Sequence, residues 1–129
     1  MANSEAVTRG VRVRVESQLV PERSSPENKA WLFTYHVTIA NEGTDTVQLL
    51  SRNWQITDAN GRVEKVEGPG VVGKKPVLGP GETFEYHSFC PLSTSFGIMH
   101  GTYQMLVEDG TKFEAEIAAF QLGEPEIVH

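Results

Sequence analysis

Residues 31–39 read WLFTYHVTI and carry the clearest structural signal in the chain. Bulky apolar side chains occupy every second position from Trp31 to Ile39, and leucine, threonine and histidine fill the positions between them. A period of two is that of a β-strand with one buried face, whereas an amphipathic helix repeats every 3.6 residues. No window of helix length elsewhere keeps the helical period. We therefore predict an all-β protein in which this strand ends at the turn residues 41–43.

Shorter alternating runs lie on both sides of this strand. Valines alternate with arginines over residues 11–15. In the run from Thr46 to Thr57 the apolar residues change parity between Leu49 and Trp54. A β-bulge near residues 50–52 would account for the change, because a bulge inserts one extra residue into a strand. Trp54 itself is interpreted as a core residue, with a recognition groove as the alternative.

Turn signals complete the fold prediction. Asn60-Gly61 and Asp109-Gly110 each separate two alternating runs and predict tight hairpins. About seven to eight short strands favour a β-sandwich of the fibronectin type III or immunoglobulin-like kind. Because Cys90 is the one cysteine, this sandwich has no disulfide. We expect a single domain over residues 1–129, with flexible ends at about 1–9 and 124–129.

Composition limits the function classes. The 129 residues include 11 Lys and Arg against 17 Asp and Glu, so the net charge is −6. An acidic chain is a poor general binder of nucleic acid, because phosphates are neutralised by cations. No apolar run approaches the roughly 18 residues of a membrane span, and residues 1–10 lack the apolar core of a secretory signal. A single cysteine fits a reducing compartment. We expect a cytoplasmic protein that binds neither nucleic acid nor membranes.

Charge is unevenly distributed. Residues 1–75 carry 10 basic and 9 acidic side chains, whereas residues 76–129 carry 8 acidic side chains and Lys112 alone as a base. Solvated strand faces explain this pattern most simply. The functional alternative is an acidic surface that selects a basic partner.

Residues 68–73 form the sharpest local motif and fit the pattern G-x-G-x-x-G of dinucleotide-binding folds. That pattern requires a following helix whose N-terminus holds the pyrophosphate. Residues 74–81 contain two prolines and two glycines, at Pro76 and in Gly79-Pro80-Gly81, and leave no room for such a helix. Two interpretations remain: a scaffold loop that needs positive φ, or an anion nest. The nest would consist of Gly68, Gly70, Val71, Val72, Gly73, Lys74 and Lys75.

No catalytic or metal-binding pattern is apparent in the sequence. His36, His87, His100 and His129 show neither H-x-x-x-H nor H-x-H spacing. Cys90 is interpreted as a buried structural thiol, and no serine lies in a G-x-S-x-G elbow. We therefore expect no enzyme activity, no cofactor and no metal site.

Taken in order, several segments resemble the ApaG family, also called CorD. The similarity extends from about Val11 to His129, and Pro69 stands where the family more often has an aliphatic residue. The segments that carry it are 50–58 (LSRNWQITD), 67–73 (EGPGVVG), 80–86 (PGETFEY), 101–105 (GTYQM) and 113–120 (FEAEIAAF).

This resemblance implies a fibronectin type III-like sandwich and a bacterial origin. It also implies a link to cobalt resistance and magnesium efflux. Similar domains in eukaryotic F-box proteins and in a polymerase-delta-interacting protein look like protein-interaction modules. The family's glycine motif falls on Gly68, Gly70 and Gly73 of this chain.

Three hypotheses follow. The first is a non-enzymatic protein-interaction module with an unidentified protein partner, present as a monomer or a weak homodimer. The second is binding of a phosphate, pyrophosphate or nucleotide-type ligand at the glycine-rich loop 68–75. The third is a divalent-cation binder or an enzyme whose ligands converge only in three dimensions.

Overall fold

The structure, a computed structural model, describes residues 2–123. This part of the chain contains two short 3₁₀ turns, no α-helix and nine β-strands. The strands are β1 (Ala2–Thr8), β2 (Val11–Leu19), β3 (Trp31–Asn41), β4 (Val47–Asp58), β5 (Val63–Pro69), β6 (Val77–Leu78), β7 (Thr83–Leu92), β8 (Gly97–Val107) and β9 (Lys112–Leu122).

Two antiparallel sheets form the sandwich and confirm the predicted fold class. The first sheet has the strand order β1-β2-β3-β7, and the second has the order β5-β4-β8-β9 with β6 also paired to β4. The predicted alternation of β3 holds, because Phe33 to Ile39 bury every second side chain, while Trp31 at the strand start is only partly buried. Both predicted hairpins, β4–β5 and β8–β9, are present.

The predicted bulge in β4 is also confirmed. The register between β4 and β8 shifts between Leu49 and Ser51. This shift returns Trp54 to the inner face, where it is 2% exposed and meets the rings of Tyr35 and Tyr103 edge-on. Trp54 is therefore a core residue and not the wall of a groove.

The N-terminal segment differs from the expectation of a flexible end over residues 1–9. Residues 2–8 form strand β1, which pairs with β2 along its whole length. Arg9 and Gly10 both have positive φ, as in the two-residue turns that join antiparallel strands. Ion pairs from Glu5 to Arg12 and Arg14 connect β1 and β2. The expected flexible end at 124–129 lies outside the described residues.

One side of the sandwich is closed and the other is open. On the closed side β1 and β2 meet β9: Thr8 Oγ1 accepts a hydrogen bond from the Glu116 amide, and Ser17 Oγ donates to the Gln121 carbonyl. On the opposite side β7 ends the first sheet and β5 and β6 end the second. Among residues 2–123, no helix is long and apolar enough to cross a membrane.

Candidate functional site

The glycine-rich loop is a tight hairpin at the open side of the second sheet. Val71 and Lys74 exchange two backbone hydrogen bonds of 2.8 Å each. Val72 and Gly73 lie between them with φ values of 43° and 78°. The sequence-based expectation that Gly70 or Gly73 has positive φ is confirmed at both positions, since Gly70 has a φ of 60°. A β-branched residue rarely adopts positive φ, so Val72 is strained.

The Arg52 side chain holds this loop against the sheet through hydrogen bonds. This role was not predicted from the sequence. Arg52 donates hydrogen bonds of 3.0 Å from its Nη1 atom to the carbonyls of Pro69 and Gly70. Its guanidinium lies over Gly68, where a Cβ atom would fall 2.9 Å from Nη2. The alternation of β4 could have indicated this role. Arg52 follows the bulge between Leu49 and Ser51 and lies two residues before the buried Trp54, so it belongs to the inward-facing set of the strand.

Most amides of the proposed anion nest are already engaged within the protein. The Gly70 N–H donates to the Leu50 carbonyl, and the Val71 and Lys74 amides bond to each other's carbonyls. Gly68 pairs with Arg52 in the β4–β5 ladder, and the alternation of that ladder directs its N–H toward β4. The hairpin thus brings the predicted residues together but leaves only the amides of Val72, Gly73 and Lys75 for an anion.

A shallow polar cleft of about 430 Å³ lies beside this loop on the second sheet. Hydroxyl and amide groups line it, together with the carboxylates of Glu67 and Glu114. Glu114 lies on the polar face of β9 and is exposed. Beneath the sheet the hydroxyl groups of Tyr86 and Tyr103 share a hydrogen bond in the core. Burial raises the pKa of both phenols, so they stay neutral at physiological pH.

Strand β7 presents an open edge. The Asn41 amide donates to the Glu82 carbonyl at 2.9 Å, which fixes the phase of the ladder between β3 and β7. Backbone groups alternate along an antiparallel strand, so Glu85, His87 and Phe89 direct theirs away from β3. In the described residues no strand pairs with that side of β7.

The side chains along this edge include an exposed aromatic ring. Phe89 is 56% exposed, and the Arg23 guanidinium carbon lies 6.0 Å from the centroid of its ring. His36 and His87, which face each other across β3 and β7, stack with ring centroids 4.4 Å apart. His36 Nε2 lies 3.7 Å from a carboxylate oxygen of Glu85.

His36 and His87 occupy the polar positions of their alternating strands, a pattern that predicts solvent-facing side chains. His87 is exposed, but His36 is partly buried and stacked on it, a contact that depends on the register of β3 against β7. Within residues 2–123 no three His, Cys, Asp or Glu side chains are grouped closely enough to hold a metal ion. His129 lies outside this range.

A small pocket opens between the end of β7 and the β4–β5 hairpin. Its volume is about 110 Å³. Ile56 and Leu92 contribute apolar surface, whereas Pro91, Ser93, Asp58, Arg62 and Glu64 are its remaining lining residues. The pocket therefore has an apolar floor and a charged rim.

Cys90 lies next to this pocket on the inner face of β7. It is a buried free thiol, as predicted from the sequence. Burial, with a smaller contribution from the Glu64 carboxylate, raises the pKa of Cys90 to about 11. The thiol is therefore protonated at neutral pH and is a weak nucleophile.

Comparison with known proteins agrees with this architecture. A family model described as the ApaG domain matches residues 21–107. The ApaG proteins of Brucella abortus (strain S19) and Brucella anthropi are 56% and 54% identical to this chain over 121 residues, which is 94% of this chain and 93% of each of theirs.

Solved structures show the same similarity. A crystal structure of an ApaA protein from Bordetella pertussis superposes with a TM-score of 0.87 at 48% identity and covers 91% of this chain and 95% of that one. The C-terminal domain of Wzt has a TM-score of 0.55 at 9% identity, covers 98% of this chain and 80% of that one, and shares the fold alone. On the family match and on these identities, the chain belongs to the ApaG domain family.

Proposed function

We propose that this chain is a non-enzymatic protein-interaction module that binds an extended segment of a partner protein along the open edge of β7. The single observation that carries this proposal is the row of backbone groups at Glu85, His87 and Phe89, with which no strand of residues 2–123 pairs, and the exposed Phe89 ring beside it. Unpaired strand edges bind extended peptides, because the added strand completes the hydrogen-bond ladder.

The length of the edge sets the length of the bound segment. The backbone of Pro91 faces away from β3, but proline has no N–H to donate. A partner strand can therefore form hydrogen bonds only with the outward-facing backbone groups from Thr83 to Phe89. That run is about seven residues. Proteins often protect edge strands with proline or charge, and here Pro91 and Glu85 restrict the edge without closing it.

Self-association along this edge is unfavourable. Two copies of β7 paired about His87 would stack a second histidine pair on the first and place Glu85 opposite Phe89. These directly opposite pairs offer no apolar complementarity, and charge complementarity is limited to the Arg23 guanidinium beside Phe89. The edge therefore supports a monomer or a weak homodimer that is free to take a different partner.

The alternative function, phosphate, pyrophosphate or nucleotide-type binding at the glycine-rich loop, has less support. The amides of Gly70, Val71 and Lys74 are bonded within the protein, and Pro69 has none to offer. The loop retains the amides of Val72, Gly73 and Lys75 and the side chains of Lys74 and Lys75. These groups would bind an anion more weakly than a complete nest of backbone amides.

The link to cobalt resistance and magnesium efflux that family resemblance implies is proposed to run through the partner protein. The lack of a three-ligand group within residues 2–123 supports this indirect route. The free, buried Cys90 thiol supports a cytoplasmic setting for the interaction.

A pull-down from native cells tests the proposed function with three variants. Phe89→Ser removes the exposed ring, and His87→Pro removes an outward amide while leaving the β3–β7 hydrogen bonds in place. Ile98→Ser is the matched control, because Ile98 is an exposed apolar residue on the other sheet. We expect a specific partner with the wild type and the control, and its loss with the two β7 variants. Equal recovery with all four proteins, or no specific partner, would overturn the proposal.

A further inference from the structure

The pocket at the end of β7 lies just beyond the outward-facing run from Thr83 to Phe89, where a segment docked on that run would continue past Pro91. Inner-face residues of β7 face the last strand of the other sheet, and the pocket is lined by Leu92 of β7 and by Ile56 and Glu64 of the β4–β5 hairpin. Successive side chains of a strand point to opposite faces, so alternate residues of a docked segment would point toward this gap.

The pocket has the size and polarity of a site for one aliphatic side chain. A cavity of about 150 Å³ holds a benzene ring, so 110 Å³ suits a side chain such as that of valine or leucine. Ile56 and Leu92 supply the apolar floor. In strand addition, backbone bonds provide affinity and such pockets provide specificity.

Charge around the pocket favours a basic residue in the docked segment. Asp58 and Glu64 lie on the pocket rim with Arg62 as the one base there, and Glu85 stands along the edge. The edge itself also carries the Arg23 guanidinium against Phe89, so the net negative charge is concentrated at the pocket rim. Asp58 Oδ1 also accepts hydrogen bonds from the Asn60 and Arg62 amides, which hold the rim in place.

We propose that the partner segment is an extended peptide with one aliphatic anchor residue, which enters the pocket, and at least one lysine or arginine near it, which pairs with the acidic rim. This inference rests on the proposed function, because it assumes that the segment docks on β7. It adds the chemistry that the segment must carry.

Selection from a random dodecapeptide library against the immobilised chain tests the inference, because such a peptide can span the edge from Thr83 to Phe89 and still reach the pocket beside Leu92. We expect enriched peptides to share an aliphatic residue and a lysine or arginine at fixed spacing. Their affinity should fall at least about tenfold with His87→Pro, which blocks the edge, and with Leu92→Asp, which places a charge in the pocket floor. Binding should also weaken with rising salt, because the rim contribution is electrostatic.

A second pocket variant guards against misfolding, since Leu92 is buried and its replacement can unfold the chain. Ser93→Phe fills the pocket mouth from an exposed position, and Ser95→Phe is its control in the same turn but outside the pocket lining. We expect Ser93→Phe to weaken the selected peptides and Ser95→Phe to leave their affinity within about twofold.

The outcomes separate the two proposals. Peptides that lose affinity with His87→Pro but share no aliphatic or basic residue, or that ignore Ser93→Phe, would overturn the pocket inference and leave edge docking intact. Peptides that are insensitive to His87→Pro, or a library without enriched binders, would count against both.

Discussion

A Cβ atom on Gly70 would lie 2.3 Å from the carbonyl oxygen of Lys74, across the neck of the glycine hairpin. Real Cβ atoms do not approach backbone oxygens so closely, and Gly70 also has positive φ and is buried. Gly73, at the tip of the same hairpin, has positive φ but no atom within 4 Å of its Cβ position. The two glycines therefore serve the hairpin for different reasons.

This contrast predicts unequal effects of alanine. Gly70→Ala should lower the free energy of unfolding by more than about 2 kcal/mol, because strain and a steric clash add. Gly73→Ala should lower it by about 1 kcal/mol from backbone strain alone. Urea unfolding measures both, and equal losses for the two variants would contradict the hairpin geometry.

Strand β3 allows a direct test of the core. Phe33 is fully buried, whereas its neighbour Thr34 points to the outer face. Phe33→Ala should lower the free energy of unfolding by about 3–5 kcal/mol through lost burial and a residual cavity. Thr34→Ala should lower it by well under about 1 kcal/mol. Similar losses at both positions, measured by thermal or urea unfolding, would contradict the strand register.

Stability should decline in alkaline solution. In the unfolded chain the Cys90 thiol ionises near its ordinary pKa of 9.0, whereas in the folded protein its pKa is about 11. The folded state therefore holds its proton more tightly, and the resulting stability is present below pH 9 and is lost as pH rises toward 11. Tyr86 and Tyr103, whose pKa values are also raised, extend the loss to higher pH.

Urea midpoints measured across this range check the alkaline prediction. Cys90→Ala should show a shallower decline between pH 9 and 11 than the wild type, because one of the contributing groups is gone. A midpoint that stays constant from pH 9 to 11 in the wild type would contradict the burial of the thiol.

Divalent metals should bind only weakly. Without a three-ligand group in residues 2–123, we predict no Co²⁺ or Mg²⁺ site tighter than about 100 μM. Calorimetry in chelator-treated buffer measures this, and His36→Ala identifies any residual binding by the stacked histidine pair. A stoichiometric isotherm in the micromolar range would give the cobalt link a direct explanation and contradict the indirect route.

Local patterning predicted most of the fold. The alternation of residues 31–39 gave the buried set of β3, and the parity change before Trp54 located the bulge between Leu49 and Ser51. Asn60-Gly61 and Asp109-Gly110 located two hairpins, because such pairs readily adopt the positive φ that tight turns need.

Strand β1 and the edge site could not be predicted from local sequence patterns alone. Residues 2–8 are short of bulky apolar side chains, and they form a strand through pairing with β2. The stacking of His36 on His87 depends on a register between strands about 50 residues apart in sequence. The openness of β7 follows from sheet order, which no single segment encodes.

Amide hydrogen exchange, measured by nuclear magnetic resonance with and without the partner recovered in the pull-down, tests edge docking most directly. The Glu85, His87 and Phe89 amides face outward, whereas the Tyr86 and Ser88 amides already face β3. Binding of the partner should slow exchange at the first three amides and leave the other two, already slow, unchanged. Unaltered exchange at Glu85, His87 and Phe89, with protection confined to the glycine hairpin at residues 70–75, would contradict it.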